Sequence, residues 1–481
     1  MKNQEIINRR KFIQQTSKVS LGFLGLQMFL SMSLQSCSDY HTPTKGNVLK
    51  NRYGKLKKDP EGILNLPAGF TYKIIARKGD AMSDGMVHPD KPDGMATFMA
   101  SNGQIILTRN HELMPTNFSA FGKEYEHLEK MDRSKIYDFR YGNLPCNGGT
   151  TTLLIDEETL TVEKSWVSLA GTLRNCAGGP TPWNTWITCE EIFIPPGNGY
   201  EKGHGYNFEV PATEDIAIAK PIPLKAMGQF NHEAICVDPR TNIVYQTEDR
   251  DDSLIYRFIP NVPQELWKGG QLQVLAIKGR KGAVTRNWKE DEEEFPIGEA
   301  IEIEWLDIED VEEVPNDNLR GRGFEMGAAK FARGEGMWYG DKEIYFACTS
   351  GGYTKTGQIF RYTPSAAEGT EGEKDNPGKL ELFLEPNNVA LLKYCDNLTI
   401  APWGDIIFCE DRARPRVVGV TKEGQFYKIA ESIHYKSEFA GGVFSPSGKT
   451  YFVNIQHAGL TVAIQGPWQK GMAITESVIG A

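Results

Sequence analysis

A β-hairpin pattern recurs six times along this 481-residue chain, and this repetition limits the fold more than any other feature. Each copy has an acidic or small residue, a short apolar strand, a tight turn, a second apolar strand and a polar or acidic ending. The copies occupy residues 93–112, 176–191, 233–249, 335–350, 396–411 and 441–456. Further apolar segments follow several hairpins and can complete each one to a four-stranded sheet. The pattern predicts an all-β chain folded as a six-bladed β-propeller.

Long segments separate the hairpins unevenly, at residues 114–149, 197–229 and 280–334. We interpret them as surface loop insertions rather than as separate domains. Two β-sandwiches are the alternative fold, but they leave the repetition of the hairpin unexplained. We therefore expect a single β-propeller domain over residues 60–481.

The N-terminus has the pattern of an export signal. Residues 8–13 read Asn-Arg-Arg-Lys-Phe-Ile, and an apolar run follows at 19–34, which is the order of a twin-arginine signal peptide. The segment from Leu34 to Cys37 resembles a bacterial lipobox, although a plain signal peptide with an incidental cysteine is the alternative. We predict a signal peptide at 1–36, a linker at 37–59, and a periplasmic protein or an outer-membrane lipoprotein anchored only through Cys37.

Charge excludes one class of partner. The chain has 63 acidic and 53 basic residues, for a formal net charge of -10. Lysine and arginine are not clustered among aromatic residues, which argues against binding a phosphate backbone. We expect no nucleic-acid partner, and we expect the chain to be a monomer.

The hairpin geometry predicts a crowded acidic centre. The first residue of the entering strand and the last residue of the returning strand lie at the same end of a hairpin, and inner propeller strands line a channel. The residues so gathered are Asp93, Cys176, Glu233, Glu335, Asp396, Glu112, Glu191, Glu248 and Glu410. Such carboxylates must protonate, turn to solvent or bind cations. Carboxylates suit Ca²⁺, whereas a thiolate among them indicates a transition metal, with iron or zinc favoured. The alternative is that several of these acids only cap strand ends.

Six strings of sequence point to a family. They are Arg109–Glu112, Asn175–Glu191, Asn231–Ala234 with Glu248–Arg250, Phe331–Gly336, Asp396–Asn397 with Glu410–Asp411, and Phe444–Gly448 through Asn454–His457 to Gly466–Trp468. From about Asp59 onward the sequence resembles the PhoX-type alkaline phosphatases, which are exported, metal-dependent bacterial enzymes.

The resemblance implies a six-bladed propeller with two ferric ions, three calcium ions and a bridging oxide in its channel. It implies that Cys176 binds iron, that Glu191, Glu233 and Glu335 ligate or bridge the metals, and that Arg333 holds substrate phosphate. Hairpin equivalence, together with motif match, adds further metal ligands: Glu112, Asp396 and Glu410. We also consider Asn175 and Arg109 as phosphate-binding residues, and we expect Arg333, Cys176 and Glu335 to be catalytic.

The expected function is the hydrolysis of phosphate monoesters with Fe³⁺ and Ca²⁺ as cofactors. A phosphate dianion resists nucleophiles, and several cations can neutralise it while they activate water. Arg333 adds a planar donor suited to phosphate. One alternative is a calcium-dependent lactonase or phosphotriesterase propeller, whose sites have no thiolate ligand. Another is a non-catalytic lipoprotein propeller that binds a surface glycan or a partner protein.

Overall fold

The computed structural model describes residues 52–468. The predictions of a signal peptide, a lipobox and most of the linker fall outside this range. Within it the regular secondary structure is almost entirely β-strand, with one α-helix, α1 (Leu319–Met326). The all-β prediction is therefore confirmed. Between residues 52 and 468, no helix combines the length and apolar character needed to cross a membrane.

The first half of the described chain contains sixteen strands. They are β1 (Leu56–Lys57), β2 (Leu66–Pro67), β3 (Thr71–Arg77), β4 (Pro92–Met99), β5 (Ile105–His111), β6 (Phe139–Arg140), β7 (Leu144–Pro145), β8 (Gly148–Asp156), β9 (Thr161–Thr172), β10 (Asn175–Pro180), β11 (Thr185–Glu190), β12 (Asn207–Pro211), β13 (His232–Val237), β14 (Val244–Glu248), β15 (Ile255–Pro260) and β16 (Gly270–Ile277).

The second half adds twelve strands. They are β17 (Ala300–Asp307), β18 (Gly334–Tyr339), β19 (Ile344–Cys348), β20 (Gln358–Thr363), β21 (Lys379–Leu384), β22 (Cys395–Ile400), β23 (Ile406–Glu410), β24 (Arg416–Val420), β25 (Phe426–Glu431), β26 (Phe439–Phe444), β27 (Thr450–Ile455) and β28 (Leu460–Gln465). Short 3-10 helices lie at Leu128–Lys130, Arg133–Lys135, Lys225–Met227, Leu266–Lys268, Glu371–Lys374 and Gln456–Ala458.

All six predicted hairpins are present, as β4–β5, β10–β11, β13–β14, β18–β19, β22–β23 and β26–β27. Three of them belong to four-stranded sheets, β4-β5-β8-β9, β22-β23-β24-β25 and β26-β27-β28-β3. The prediction of six separate four-stranded sheets is only partly right. The hairpin β10–β11 belongs to a three-stranded sheet, and two others share one nine-stranded sheet.

Strand β17 causes this fusion. It pairs with β16 through residues 303–307 and with β21 through residues 300–302. The segment was predicted to be part of a loop insertion, yet its residues Ala-Ile-Glu-Ile-Glu-Trp-Leu-Asp largely alternate between apolar and polar. A strand with this alternation can cover the exposed edges of two neighbouring sheets.

The arrangement is propeller-like. The entering strands β4, β10, β13, β18, β22 and β26 contact one another in that order, and β26 contacts β4, so that they form a closed ring. Strand β3 pairs with β28, which joins the two ends of the described chain in one sheet. Between sheets the contact is apolar. Ala347 and Ile359, for example, pack with Leu398 and Phe408 of the next sheet. Full burial of each large apolar side chain contributes about 1.5–3 kcal/mol.

Every entering strand contains a β-bulge at the same position. The unpaired residues are 93–94, 176–177, 233–234, 335–336, 396–397 and 441–442. The second bulge residue is usually small, because backbones of neighbouring strands meet there. A Cβ on Gly94 would lie 2.6 Å from the Cα of Ala177. A bulge changes the direction of a side chain, and here it turns the first bulge residue of each hairpin towards the centre of the ring.

Candidate metal centre

The first bulge residues of five hairpins form one cluster. They are Asp93, Cys176, Glu233, Glu335 and Asp396. The sixth hairpin has Gly441 at this position, where a Cβ would lie 2.2 Å from the carbonyl oxygen of Asp93. Ligand atoms of Cys176, Glu191 and Glu233 lie within 4.8 Å of one another, and so do those of Glu233, Glu335 and Asp396. Glu233 therefore belongs to two adjacent groups of potential metal ligands.

Glu233 is fully buried, and neither of its carboxylate oxygens accepts a hydrogen bond from any residue between 52 and 468. Oδ1 of Asp93 is also buried and accepts no hydrogen bond from these residues. An unpaired carboxylate in the interior is costly unless it binds a proton or a cation. Burial, with Glu191 and Asp396 nearby, raises the pKa of Glu233 well above its usual value. The position of Glu233 thus requires a positive partner.

The pKa values of the neighbouring acidic groups are raised for the same reason. Burial raises the pKa of Asp93 and Glu335 well above the usual range, with smaller contributions from adjacent carboxylates. It raises the pKa of Asp396 to about 8, with Asp411 contributing. The Cys176 thiol also has a strongly raised pKa because of burial and the nearby carboxylate of Asp93. Without cations the cluster would retain several protons at neutral pH.

The returning strands contribute a second ring of residues. Just beyond the last paired residue of each hairpin lie Glu112, Glu191, Asp249, Thr349, Asp411 and Gln456. The backbone N–H of each donates to a carbonyl just before the entering strand, as in Glu191 to Arg174 at 2.9 Å and Asp411 to Tyr394 at 2.9 Å. This repeated bond fixes the open end of every hairpin.

Two arginines lie at equivalent places before their entering strands. Arg333 donates to both carboxylate oxygens of Asp249, at 2.6 and 2.8 Å, and to Glu335 at 3.0 Å. Arg174 pairs with Glu112 at 2.8 Å and with Glu191. Both have positive φ angles, 54° and 44°, a conformation that costs energy in residues other than glycine and is often found at functional sites. Each side chain is about one-third exposed, so both guanidinium groups face the mouth of the cluster.

Comparison with known proteins now identifies the family. The family model described as alkaline phosphatase PhoX matches residues 51–459. The chain belongs to the PhoX alkaline phosphatase family. The resemblance inferred from the sequence strings is confirmed, and the family indicates a phosphatase enzyme. Among curated protein sequences none matches the chain.

One solved structure supports the fold. PhoX from Pseudomonas fluorescens, in complex with the transition-state analogue vanadate, is 15% identical with a TM-score of 0.61, and the match covers 88% of this chain and 98% of that one. A gluconolactonase from Xanthomonas campestris is 11% identical with a TM-score of 0.37, and the match covers 84% and 97% of the two chains. At such identities the likeness to the PhoX structure supports the fold alone.

Two of the predicted acids, Glu410 and Glu248, do not lie at the cluster around Glu233. Glu410 pairs with Arg416, whose Nε donates to it at 2.6 Å, and it accepts the backbone N–H of Lys393 at 3.2 Å. Glu248 accepts from the hydroxyl of Tyr256 at 2.9 Å. Both acids end a paired strand, and alternation along a strand turns them away from the residue that follows. The residues that follow them, Asp249 and Asp411, were missed as candidates and face the cluster instead.

The two additional phosphate-binding candidates also lie elsewhere. Arg109 is buried and donates to the hydroxyl of Thr151 at 2.9 Å, with His88 at 2.6 Å on its other side. Asn175 is fully buried between Thr172 and Thr188, at 2.6 and 3.0 Å. Because these polar groups are already paired within the sheets, neither is placed to hold a substrate phosphate.

Two further residues at the cluster were not predicted. Nε2 of Gln456 donates to Asp93 at 2.6 Å and to Glu112 at 3.1 Å. Glu438 lies partly buried next to Asp411, and desolvation together with this contact raises its pKa well above the usual value. Gln456 ends the sixth hairpin, so hairpin equivalence was the signal that could have identified it.

Proposed function

We propose that the chain hydrolyses phosphate monoesters at a centre of iron and calcium ions, in the channel of a six-bladed propeller. The single observation that carries this proposal is Glu233, which is fully buried, has no hydrogen-bond donor among the described residues, and is shared by two groups of ligands. Membership of the PhoX family supports the reaction class. The closed ring of inner strands supports the six-bladed arrangement.

The two ligand groups fit different ions. The group of Cys176, Glu191 and Glu233 includes sulfur, which suits iron better than calcium. The group of Glu233, Glu335 and Asp396 offers only oxygen, which suits Ca²⁺. We therefore propose that Cys176, Glu191 and Glu233 would hold Fe³⁺ and that Glu233, Glu335 and Asp396 would hold Ca²⁺. When bound, these ions would neutralise phosphoryl oxygens and activate water.

The side chains around these ions would then have two roles: the ligands release protons as the ions bind, and Arg333 binds phosphate. The thiol of Cys176 and the carboxyls of Glu233 and Asp396 give up their protons when cations replace them. Arg333 offers two N–H groups to phosphate oxygens, and Asp249 and Glu335 fix the plane of its guanidinium. Such positioning of a phosphate dianion contributes to catalysis by reducing the loss of entropy in the reaction.

We also propose a substrate class and a cellular location for the protein. A partly exposed arginine above a buried cluster fits small phosphate esters. We propose that residues 60–481 form one catalytic domain, that the chain acts as a monomer, and that it is exported to the periplasm or the outer membrane. A lipid anchor at Cys37 belongs to this proposal, which is supported by the N-terminal sequence.

The test is elemental analysis of the natively exported protein combined with hydrolysis of p-nitrophenyl phosphate by the same sample. We expect iron and calcium in stoichiometric amounts and turnover that depends on calcium. Cys176→Ser should lose iron and activity together. Cys236→Ser is the matched control, since Cys236 is buried in an apolar cluster. Full phosphatase activity in an iron-free Cys176→Ser protein, or lactone hydrolysis without phosphatase activity, would overturn the proposal.

A further inference from the structure

A second polar cluster lies beside β11, outside the centre described above. Asp138 and Cys146 belong to the insertion between β5 and β8, and His204 belongs to the segment between β11 and β12. All three residues are fully buried. The fourth member, Glu190, is the last residue of β11 and is fully buried as well. The cluster thus joins two long insertions to one hairpin of the ring.

Glu190 determines which nitrogen of His204 carries a proton. Its carboxylate accepts backbone N–H groups from Leu173 at 2.9 Å and Gly205 at 2.8 Å. It therefore remains an acceptor for Nδ1 of His204, which lies at 2.6 Å. This carboxylate–histidine pair is the arrangement that commonly orients a metal-binding imidazole. Nε2 is left facing Asp138 and Cys146.

A proton or a metal cation is needed between Nε2 of His204 and Oδ2 of Asp138, which are 3.1 Å apart. The lone pair of a neutral imidazole would repel the carboxylate at this distance. Burial alone would lower the pKa of His204, but Glu190 and Asp138 raise it well above its usual value. A proton would satisfy these two atoms. It would leave Sγ of Cys146 with only long contacts, 3.9 Å to Asp138 and 3.9 Å to His204.

A metal ion would use all three atoms. The separations of 3.1, 3.9 and 3.9 Å define a triangle that contains a point about 2.1 Å from Nε2 and Oδ2 and about 2.2 Å from Sγ. Zinc–ligand distances are about 2.0–2.2 Å for nitrogen and oxygen and about 2.3 Å for sulfur. The donor atoms already lie where one zinc ion could reach each of them without rearrangement.

We propose that Asp138, Cys146 and His204 bind one Zn²⁺ ion as a structural site. Imidazole and thiolate favour a transition metal over calcium or magnesium. Oδ1 of Asp138 accepts the backbone N–H groups of Glu201 and Lys202 at 3.2 Å each, which fixes the orientation of the carboxylate. Binding displaces the thiol proton of Cys146 and leaves Nε2 of His204 unprotonated.

The zinc ion would support the phosphatase centre without belonging to it. The backbone N–H of Leu173 donates a hydrogen bond to Glu190. Leu173 directly precedes Arg174 in the sequence, and Glu190 directly precedes Glu191. The ion would therefore fix the two insertions against the part of the ring that positions these residues. Cys146 itself is not a nucleophile here, because it is fully buried next to a carboxylate.

The test compares zinc content in wild-type protein and Cys146→Ser, both purified after native export and dialysed against zinc. We expect Cys146→Ser to bind one zinc ion fewer per chain, and its iron content to match wild type. After exchange with Co²⁺ in a Cys176→Ser background, Cys146 should give a thiolate-to-cobalt charge-transfer band that disappears in the Cys146→Ser, Cys176→Ser double variant. Cys236→Ser is the control and should change neither signal.

Equal zinc content and an unchanged cobalt spectrum in Cys146→Ser would overturn the proposal and leave an imidazolium held by two carboxylates. If Cys146→Ser fails to fold, Asp138→Asn provides the second variant, with the same loss of one zinc ion expected. The outcome is independent of phosphatase activity, so failure of the zinc site and failure of the proposed function are distinguishable.

Discussion

Two sets of carboxylates lie one residue apart in this chain and have different surroundings. Glu190, Glu248 and Glu410 end paired strands, are fully buried, and accept hydrogen bonds from histidine, tyrosine, arginine or backbone groups. Glu191, Asp249 and Asp411 follow them and face a cluster in which Glu233 has no donor among the described residues. Glu233 is buried as fully as Glu190, Glu248 and Glu410, so equal burial marks either a closed structural contact or a cation site. The available donors, not burial, distinguish the two.

The difference follows from strand geometry. A residue at the last ladder position and the residue after it point in opposite directions. The first contacts its own sheet, as Glu410 contacts Arg416 of β24. The second turns towards the ring of bulges. The same two-residue ending thus supplies a structural acid and a functional acid at several hairpins.

The largest expected effect comes from removing the unpaired charge. Glu233→Gln should reduce kcat/KM by more than about 100-fold, because the residue that bridges both ligand groups is lost. Its metal-free form should be at least as stable as metal-free wild type, since a buried carboxyl that has no hydrogen-bond donor and must take up a proton is replaced by a neutral amide. Phosphatase assays, metal analysis and urea unfolding would check this. Normal metal content with normal activity would contradict the role of Glu233.

Glu410→Gln is the matched change in the other set. Here we expect a loss of about 3–5 kcal/mol in the free energy of unfolding, because buried Arg416 loses its ionic partner. Iron and calcium per folded chain should stay at the wild-type level. Urea unfolding and elemental analysis would measure both quantities. Loss of metal without loss of stability would place Glu410 in the functional set after all.

The cluster around Glu233 also predicts an unusual pH dependence for the stability of metal-free protein. Burial raises the folded-state pKa of Asp396 to about 8 and that of Glu191 to about 7, with Arg174 partly opposing the shift in Glu191. Unfolded carboxyls titrate near about 4. The folded state therefore binds more protons, and stability should fall by on the order of a few kcal/mol as pH rises from about 4 to about 8. Thermal unfolding of chelated protein would show the fall, and metal-loaded protein should not.

The smallest effect separates the two arginines. Arg333→Lys should raise KM by about 10- to 100-fold, since an ammonium group cannot hold Asp249 and Glu335 and still offer two N–H groups to phosphate, and a hydrogen bond to a charged group is worth about 1.5–3 kcal/mol. Arg174→Lys should have a smaller effect, because Glu112 and Glu191 still receive a positive charge. Steady-state kinetics with p-nitrophenyl phosphate would compare them. A larger effect at Arg174 would reverse their roles.

Hairpin repetition was sufficient to predict the all-β class, the six hairpins and the convergence of Cys176, Glu233, Glu335 and Asp396, because residue identity repeats where geometry repeats. The choice between Glu248 and Asp249, or between Glu410 and Asp411, could not be made from the sequence. That choice depends on where the last ladder bond falls, and both residues are acidic. Sequence also could not predict that β17 joins two sheets, since this depends on a pairing between distant strands.

The partners of buried polar groups were the other unpredictable feature. Arg109 stands in a string that resembles the family, yet it contacts His88 in the loop between β3 and β4 and Thr461 of β28. No local sequence pattern predicts such contacts between residues that are distant in the chain. A matching string therefore indicates that a residue is important for the fold or the site, and only the folded structure distinguishes these roles.

The most direct test is a crystal structure of natively exported, active protein with anomalous scattering measured on both sides of the iron absorption edge. We predict an iron peak within bonding distance of Sγ of Cys176 and the carboxylate of Glu233, and oxygen-coordinated density for calcium next to Glu335 and Asp396. Active crystals in which Glu233 and Cys176 contact no metal would contradict the account.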